Sequence, residues 1–298
     1  MHASCRFRIA LIVALCFAPP MARATDQVSD KQIGQLYDRV ARDLRAGRPL
    51  VTTIFVALCD NDAQGIVRVK NARICQGDSP DQNLYWASAG GLASVLQAAR
   101  WQRLSVEHFG QGDLAVKAVW WKRLLPGGDL RARGVAAGFD AYIVGLGYRG
   151  ARIRQAMVDY LRAVNDDKTT DVSPSVGLRA GGASHLVGYI GHDYFYDVGD
   201  ARPLLALRNG DSAMHKGVFA LSCAGHRLIR PAIARGNAHI LLLNRTLGFP
   251  GAWTAEAIVT AIAEGRSMRE IHHKAAAAFA KGQGVALAVA LAAFAYGD

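Results

Sequence analysis

The sequence predicts an α/β fold, a doubly wound and mostly parallel sheet flanked by helices. Three observations carry this expectation. Several short apolar runs, 50–58 among them, lack polar alternation, as central parallel strands covered on both faces do. Segments of helical period alternate with these runs through most of the chain, which is the pattern of a layered α/β domain. Hydrophobic residues make up 51% of the 298, enough to bury a large core.

In chain order, residues 30–44 carry Ile33, Leu36, Tyr37, Val40 and Leu44 on one helix face. Arg39, Arg42 and Arg45 lie on the other, and Gly47 and Pro49 stop the helix. Residues 50–58 form a strand that delivers Cys59-Asp-Asn-Asp62 to the sheet rim. Residues 64–80, with scattered Gly, Asp and Pro, are expected to be a loop, and Asn83 opens a helix reaching Ala99. Strands are expected over 104–109, 114–121 and 139–144, with a turn at 126–129. Residues 149–164 place Ile153, Met157, Tyr160, Leu161 and Val164 on one helix face, and the polar stretch 165–182 is expected to be a loop. The apolar runs 185–191, 217–222 and 238–243 are further strands. Helices are expected at 228–234, 253–263 and 267–279, the last capped by Ser267. An alanine-rich apolar helix over 285–296 is too short to span a bilayer. No internal repeat is present, so a single α/β domain is expected over 25–298, with a helical C-terminal segment.

Residues 1–24 read as a secretory signal peptide. Arg6 and Arg8 begin it, 9–17 is a short apolar run, and Ala22-Arg23-Ala24 offers a small-x-small site with cleavage after Ala24. Leu15 stands before Cys16 where a lipoprotein signal needs a small residue. Export to a periplasm or the cell exterior follows, with no stable membrane span. The formal charge of +11 falls to +8 without the leader. No dense Lys/Arg run or aromatic-laced basic stretch accompanies it, so no nucleic-acid partner is expected. Cys59, Cys75 and Cys223 then remain. A Cys59–Cys75 bridge would leave Cys223 as the unbridged thiol in an oxidising compartment.

The candidate chemistry lies in His185-Leu-Val-Gly-Tyr-Ile-Gly191 followed by His192, and Gly217-Val-Phe-Ala-Leu-Ser222 followed by Cys223. If the two strands are parallel neighbours, imidazole and thiol share one rim, and the imidazole can generate a thiolate nucleophile. Gly191, Ala224 and Gly225 are small enough to admit a substrate backbone. The amides of Cys223, Ala224 and Gly225 are candidate oxyanion donors. This reading is a cysteine hydrolase needing no cofactor and no metal: His272 and His273 are adjacent, and the other histidines lack zinc spacing. No Gly-x-Ser-x-Gly elbow is present. Gly145-Leu-Gly147-Tyr-Arg-Gly150 offers a competing dinucleotide-binding turn.

A strand ending in His and a strand ending in Cys about thirty residues later resemble the caspase-like cysteine peptidases, the group of caspases, metacaspases, gingipains, separases and legumains. Ser222-Cys223 matches the group's Ser-Cys or Ala-Cys pair, whereas Asp193 stands where the His-Gly pair has glycine. The chain is also similar to a set of exported bacterial caspase-like proteins with Gly-His-Asn/Asp before an apolar turn. Phe55-Val-Ala-Leu-Cys-Asp-Asn61, Gln64-Gly-Ile-Val67 and Asn83-Leu-Tyr-Trp86 share that character, and the resemblance covers about 50–264. It implies a peptidase with His192 as base, Cys223 as nucleophile and a polypeptide substrate. Asp60 and Asp62 would then favour cleavage after basic residues, the alternatives for them being an Asx-type turn or a Ca²⁺ site. Asp193 keeps open a second implication, a catalytically inactive relative that binds a protein partner.

Overall fold

The run after Pro49 forms a strand of eight residues, all buried, at the centre of an eight-stranded sheet. The structure is a computed structural model that describes residues 24–64, 68–167, 169–173, 178–197, 202–234 and 237–297. The expected signal peptide, apart from Ala24, lies outside the described residues. The elements are α1 (Ala24–Arg45), β1 (Leu50–Ala57), α2 (Leu92–Ala98), β2 (Gln102–His108), β3 (Leu114–Leu124), α3 (Gly128–Ala132) and β4 (Phe139–Tyr148). They continue as α4 (Ile153–Asn165), β5 (Thr169–Ser173), β6 (Leu178–Gly181), β7 (Leu186–Ile190), α5 (Tyr194–Asp197), α6 (Arg202–Leu205) and β8 (Lys216–Leu221). Last come α7 (Gly225–Leu228), β9 (Ala238–Asn244), α8 (Ala252–Ala263), α9 (Met268–Gln283), α10 (Leu287–Ala293) and β10 (Phe294–Ala295).

The sheet order is β10-β9-β8-β7-β1-β4-β3-β2. β4, β1, β7, β8 and β9 are mutually parallel, and β2, β3 and β10 add antiparallel edges. Counting the parallel strands alone in chain order gives 2-1-3-4-5, so the order reverses between β1 and β7. Open α/β sheets bind their ligands outside the carboxyl ends of the strands at such a reversal. Two cores flank the sheet. Side chains of α1, α2, α8 and α9 fill one face, and α4 with Tyr194, Phe195 and Leu204 fills the other. Along β1 the residues alternate between them, Ile54 and Val56 to one core and Phe55 and Ala57 to the other. A strand buried on both faces needs no polar alternation.

The expected architecture is therefore present, and five local expectations are corrected. The helix expected from Asn83 to Ala99 is only α2. The Asn83 side chain hydrogen-bonds the backbone of Cys59, Gln76 and Tyr85 instead, in competition with helical pairing. The polar stretch 165–182 contains the hairpin β5–β6. The turn at 126–129 leads into α3. Helix 228–234 is replaced by α7 and a short 3-10 turn that carries Pro231. The C-terminal helix stops at Ala293, and Phe294 and Ala295 pair antiparallel with Asn244 and Leu243.

The dinucleotide turn is also absent. Gly145 and Gly147 lie inside β4, where Cβ atoms would press on the Trp120 ring and on Val116. Their glycines make room for side chains from the α2 face, not for a phosphate. Among the described residues, no helix is long and apolar enough to cross a membrane.

Candidate active site

β7 and β8 are parallel neighbours with Ile190 opposite Leu221. His192 and Cys223 each follow two residues later, so both emerge at the carboxyl ends of adjacent strands. Gly191 has φ +152°, and its amide extends the ladder to the Leu221 carbonyl at 3.2 Å. That φ belongs to glycine, and a Cβ there would sit 3.0 Å from the Ala57 carbonyl. The chain leaves the strand at this point and presents His192 at the rim.

Two tyrosines hold His192. Tyr189 donates its hydroxyl to the His192 carbonyl at 2.8 Å. The Tyr85 hydroxyl lies 3.1 Å from Nε2, with the two rings edge to face at 5.6 Å. Tyr85 is buried and reaches this position through Asn83. The Asn83 amide brackets Cys59, accepting from its N–H at 3.0 Å and donating to its carbonyl at 2.9 Å.

Asp193 is completely buried. Its carboxylate accepts the Phe195 amide at 2.9 Å and the Ser222 hydroxyl at 3.3 Å. The residue after the histidine is thus hydrogen-bonded to the residue before the cysteine, which ties the two strand ends together. The aspartate after His192 has a structural task here.

Cys223 is half-buried, with Sγ 3.9 Å from the Gly248 carbonyl. Ala224 has φ +53°, a left-handed conformation that costs a non-glycine residue about 1–2 kcal/mol. Its N–H donates to the Thr246 carbonyl at 3.1 Å. The Ala224 amide is therefore already paired, which corrects the expected set of three oxyanion donors. The amides of Cys223 and Gly225 flank it at the start of α7. Phe249, next to Gly248, meets the Tyr85 ring at 5.9 Å and Trp253 at 5.7 Å. The segment after β9 thus approaches Cys223 through the Gly248 carbonyl and, through Phe249, touches the tyrosine that contacts His192. On the α7 side, burial and then Arg230 and Arg245 hold His226 below its usual pKa, a sign of positive potential.

Cys59 and Cys75, which the sequence left as a possible pair, form a disulfide with Cα atoms 4.6 Å apart. The two expected specificity carboxylates lie apart from the His192–Cys223 pair. Asp60 accepts the amides of Asp62 at 2.9 Å and Ala63 at 3.2 Å, an Asx-type turn. Its side chain fills the space beside Gly77 and Gly150, on the β4 side of β1, whereas His192 is on the β7 side. Asp62 has a side chain 94% exposed and pairs with Arg68 at 3.8 Å. Among the described residues, no group of three or more His, Cys, Asp or Glu is arranged to hold a metal ion.

Tyr85, Asn83 and the 246–249 segment did not stand out in the sequence as site residues. Gly248-Phe-Pro-Gly251 carries the available signal. It is a turn cluster that begins four residues after a buried strand, at the same end of the sheet as His192 and Cys223. No family model, curated protein or solved structure matches the chain.

Proposed function

We propose that the protein is an exported cysteine hydrolase of caspase-like fold that cleaves polypeptides through His192 and Cys223. The observation that supports the reading is the Asp193–Ser222 hydrogen bond, which joins the residue after His192 to the residue before Cys223 at the carboxyl ends of two adjacent parallel strands. In the tautomer whose Nε2–H donates to the Tyr85 hydroxyl, the base of the reaction is Nδ1. It takes the Cys223 proton, and the thiolate attacks the peptide carbonyl. The imidazolium returns the proton to the leaving amine. Water then hydrolyses the thioester, with His192 again as base. The expected leader and the Cys59–Cys75 disulfide support an oxidising compartment, a periplasm or the cell exterior.

The preference for basic residues finds no support in Asp60, which caps its own turn, or in Asp62, which points to solvent. One observation favours the second reading, a binding protein on the same fold: Thr246 occupies the Ala224 amide, which leaves fewer donors for an oxyanion.

Cleavage of an unfolded polypeptide, followed by mass spectrometry, separates the two. The hydrolase reading expects products from the wild type and none from Cys223→Ala or His192→Ala. Products that persist in Cys223→Ala, or no products from any form, overturn it.

A further inference from the structure

The opposite rim of the sheet holds a second cluster that the proposed chemistry does not use. At the amino ends of β7 and β8, α1 passes over the loop that precedes Lys216. Gln35, Asp38, Arg39 and Arg42 recur at helical spacing along one stripe of α1, and Ala213, Met214 and His215 face them across a cavity of about 250 Å³. Arg39 is only 6% exposed. Its guanidinium donates to three carbonyls, those of Ala183 at 2.6 Å, Ser184 at 3.0 Å and His215 at 2.8 Å. Those bonds satisfy donors but do not neutralise charge, and no carboxylate among the described residues lies within ion-pair distance of Arg39.

The acids nearby are engaged elsewhere. Asp38, the one acid of the lining, pairs with Arg133 at 2.8 Å. Asp43 is shared by Arg48 and His185, with Arg42 at 3.7 Å. Asp167 pairs with the buried Lys216 at 3.1 Å. His215 stacks on His239, Nδ1 to Nε2 3.0 Å apart. Burial, and then Arg39, hold His215 below its usual pKa, which reports the same positive field. Asp43 and Asp167 offset the Arg39 charge only from beyond ion-pair distance, while burial opposes it, and an arginine cannot shed its proton to escape the cost.

We propose that this cavity binds a small oxyanion, a carboxylate or phosphoryl group. Arg42, whose side chain is 67% exposed, closes on the ligand from the solvent side, and Arg39 supplies fixed charge from beneath. His215 contributes a ring N–H and Gln35 an amide N–H to orient it.

Calorimetric titration of the full chain with inorganic phosphate and, separately, with succinate at constant chloride tests this. One saturable site for either probe is expected, and which probe binds identifies the group. Arg42→Gln should weaken that binding at least tenfold with an unchanged unfolding midpoint, and His215→Gln should weaken it severalfold. Absence of saturable binding for both probes overturns the proposal. So does wild-type affinity in both variants.

Discussion

Tyr85 governs the orientation of His192. Its hydroxyl reaches Nε2 at 3.1 Å from 107 residues away in the chain, so no local pattern announces the contact. One such hydrogen bond contributes about 0.5–1.5 kcal/mol, or up to about tenfold in a rate. Tyr85→Phe is therefore expected to leave the chain folded, with stability lowered by no more than about 1.5 kcal/mol, while alkylation of Cys223 at pH 7 slows severalfold. An unchanged rate would remove Tyr85 from the account. A second pair sits at the far rim. Burial opposes ionisation of Asp43, but hydrogen bonds from His185 and Arg48 outweigh it and hold the carboxyl well below the usual range. Burial lowers the His185 pKa, and the Val51 amide donates to Nδ1, so a neutral imidazole donates from Nε2 to the carboxylate. Both folded pKa values are depressed, so the unfolded chain binds these protons first. Their stabilisation is complete above about pH 6.5 and declines below it as unfolded His185 protonates. It declines again below about pH 4 as unfolded Asp43 does. Urea midpoints should fall from pH 7 to 5.5 to 4, and His185→Gln should flatten the first step. A midpoint constant over that range contradicts the pairing.

At the scale of elements, the loop closed by Cys59 and Cys75 carries the most consequence. It ties the end of β1 to the segment from which Asn83 and Tyr85 approach the rim. Removing both sulfurs (Cys59→Ala with Cys75→Ala) should destabilise the chain by about 3 kcal/mol on the chain-entropy model for a loop of this size. The same variant should slow Cys223 alkylation, because Asn83 loses its fixed anchor. Stability within 1 kcal/mol of wild type, read from urea unfolding, would show that the loop is held by its hydrogen bonds alone. The core strands were legible because a strand covered on both faces is a bare apolar run, as in β1, β7, β8 and β9. The hairpin β5–β6 was not, since Thr169-Thr-Asp-Val-Ser173 pairs through backbone bonds that leave no apolar period. The final residues misled in the other direction. An alanine-rich run favours helix, but Phe294 and Ala295 complete the edge of the sheet beside β9, and tertiary pairing outweighs propensity there.

Across the whole molecule, the order 2-1-3-4-5 brings residues from four strand ends to one rim: Cys59, His192, Cys223 and the 246–249 segment. His192 and Cys223 reach the same rim because each directly follows a short apolar run that forms a parallel strand, and that much was legible in the sequence. Their surroundings were not, because Tyr85, Asp193 and Phe249 acquire their tasks only when β1, β7, β8 and β9 are side by side. The carboxylates Asp60 and Asp62 occupy that rim too, yet Asp60 turns towards Gly77 and Gly150 and Asp62 to solvent, which rim position alone cannot foretell. The central claim is that His192 makes Cys223 a thiolate at neutral pH. The rate of Cys223 alkylation by iodoacetamide against pH, in wild type and His192→Ala, measures this directly. The account predicts a rate that plateaus well below the ordinary thiol pKa of about 8.5, with the plateau lost in the variant. A rate that follows an ordinary or raised thiol pKa, unchanged by the substitution, contradicts it.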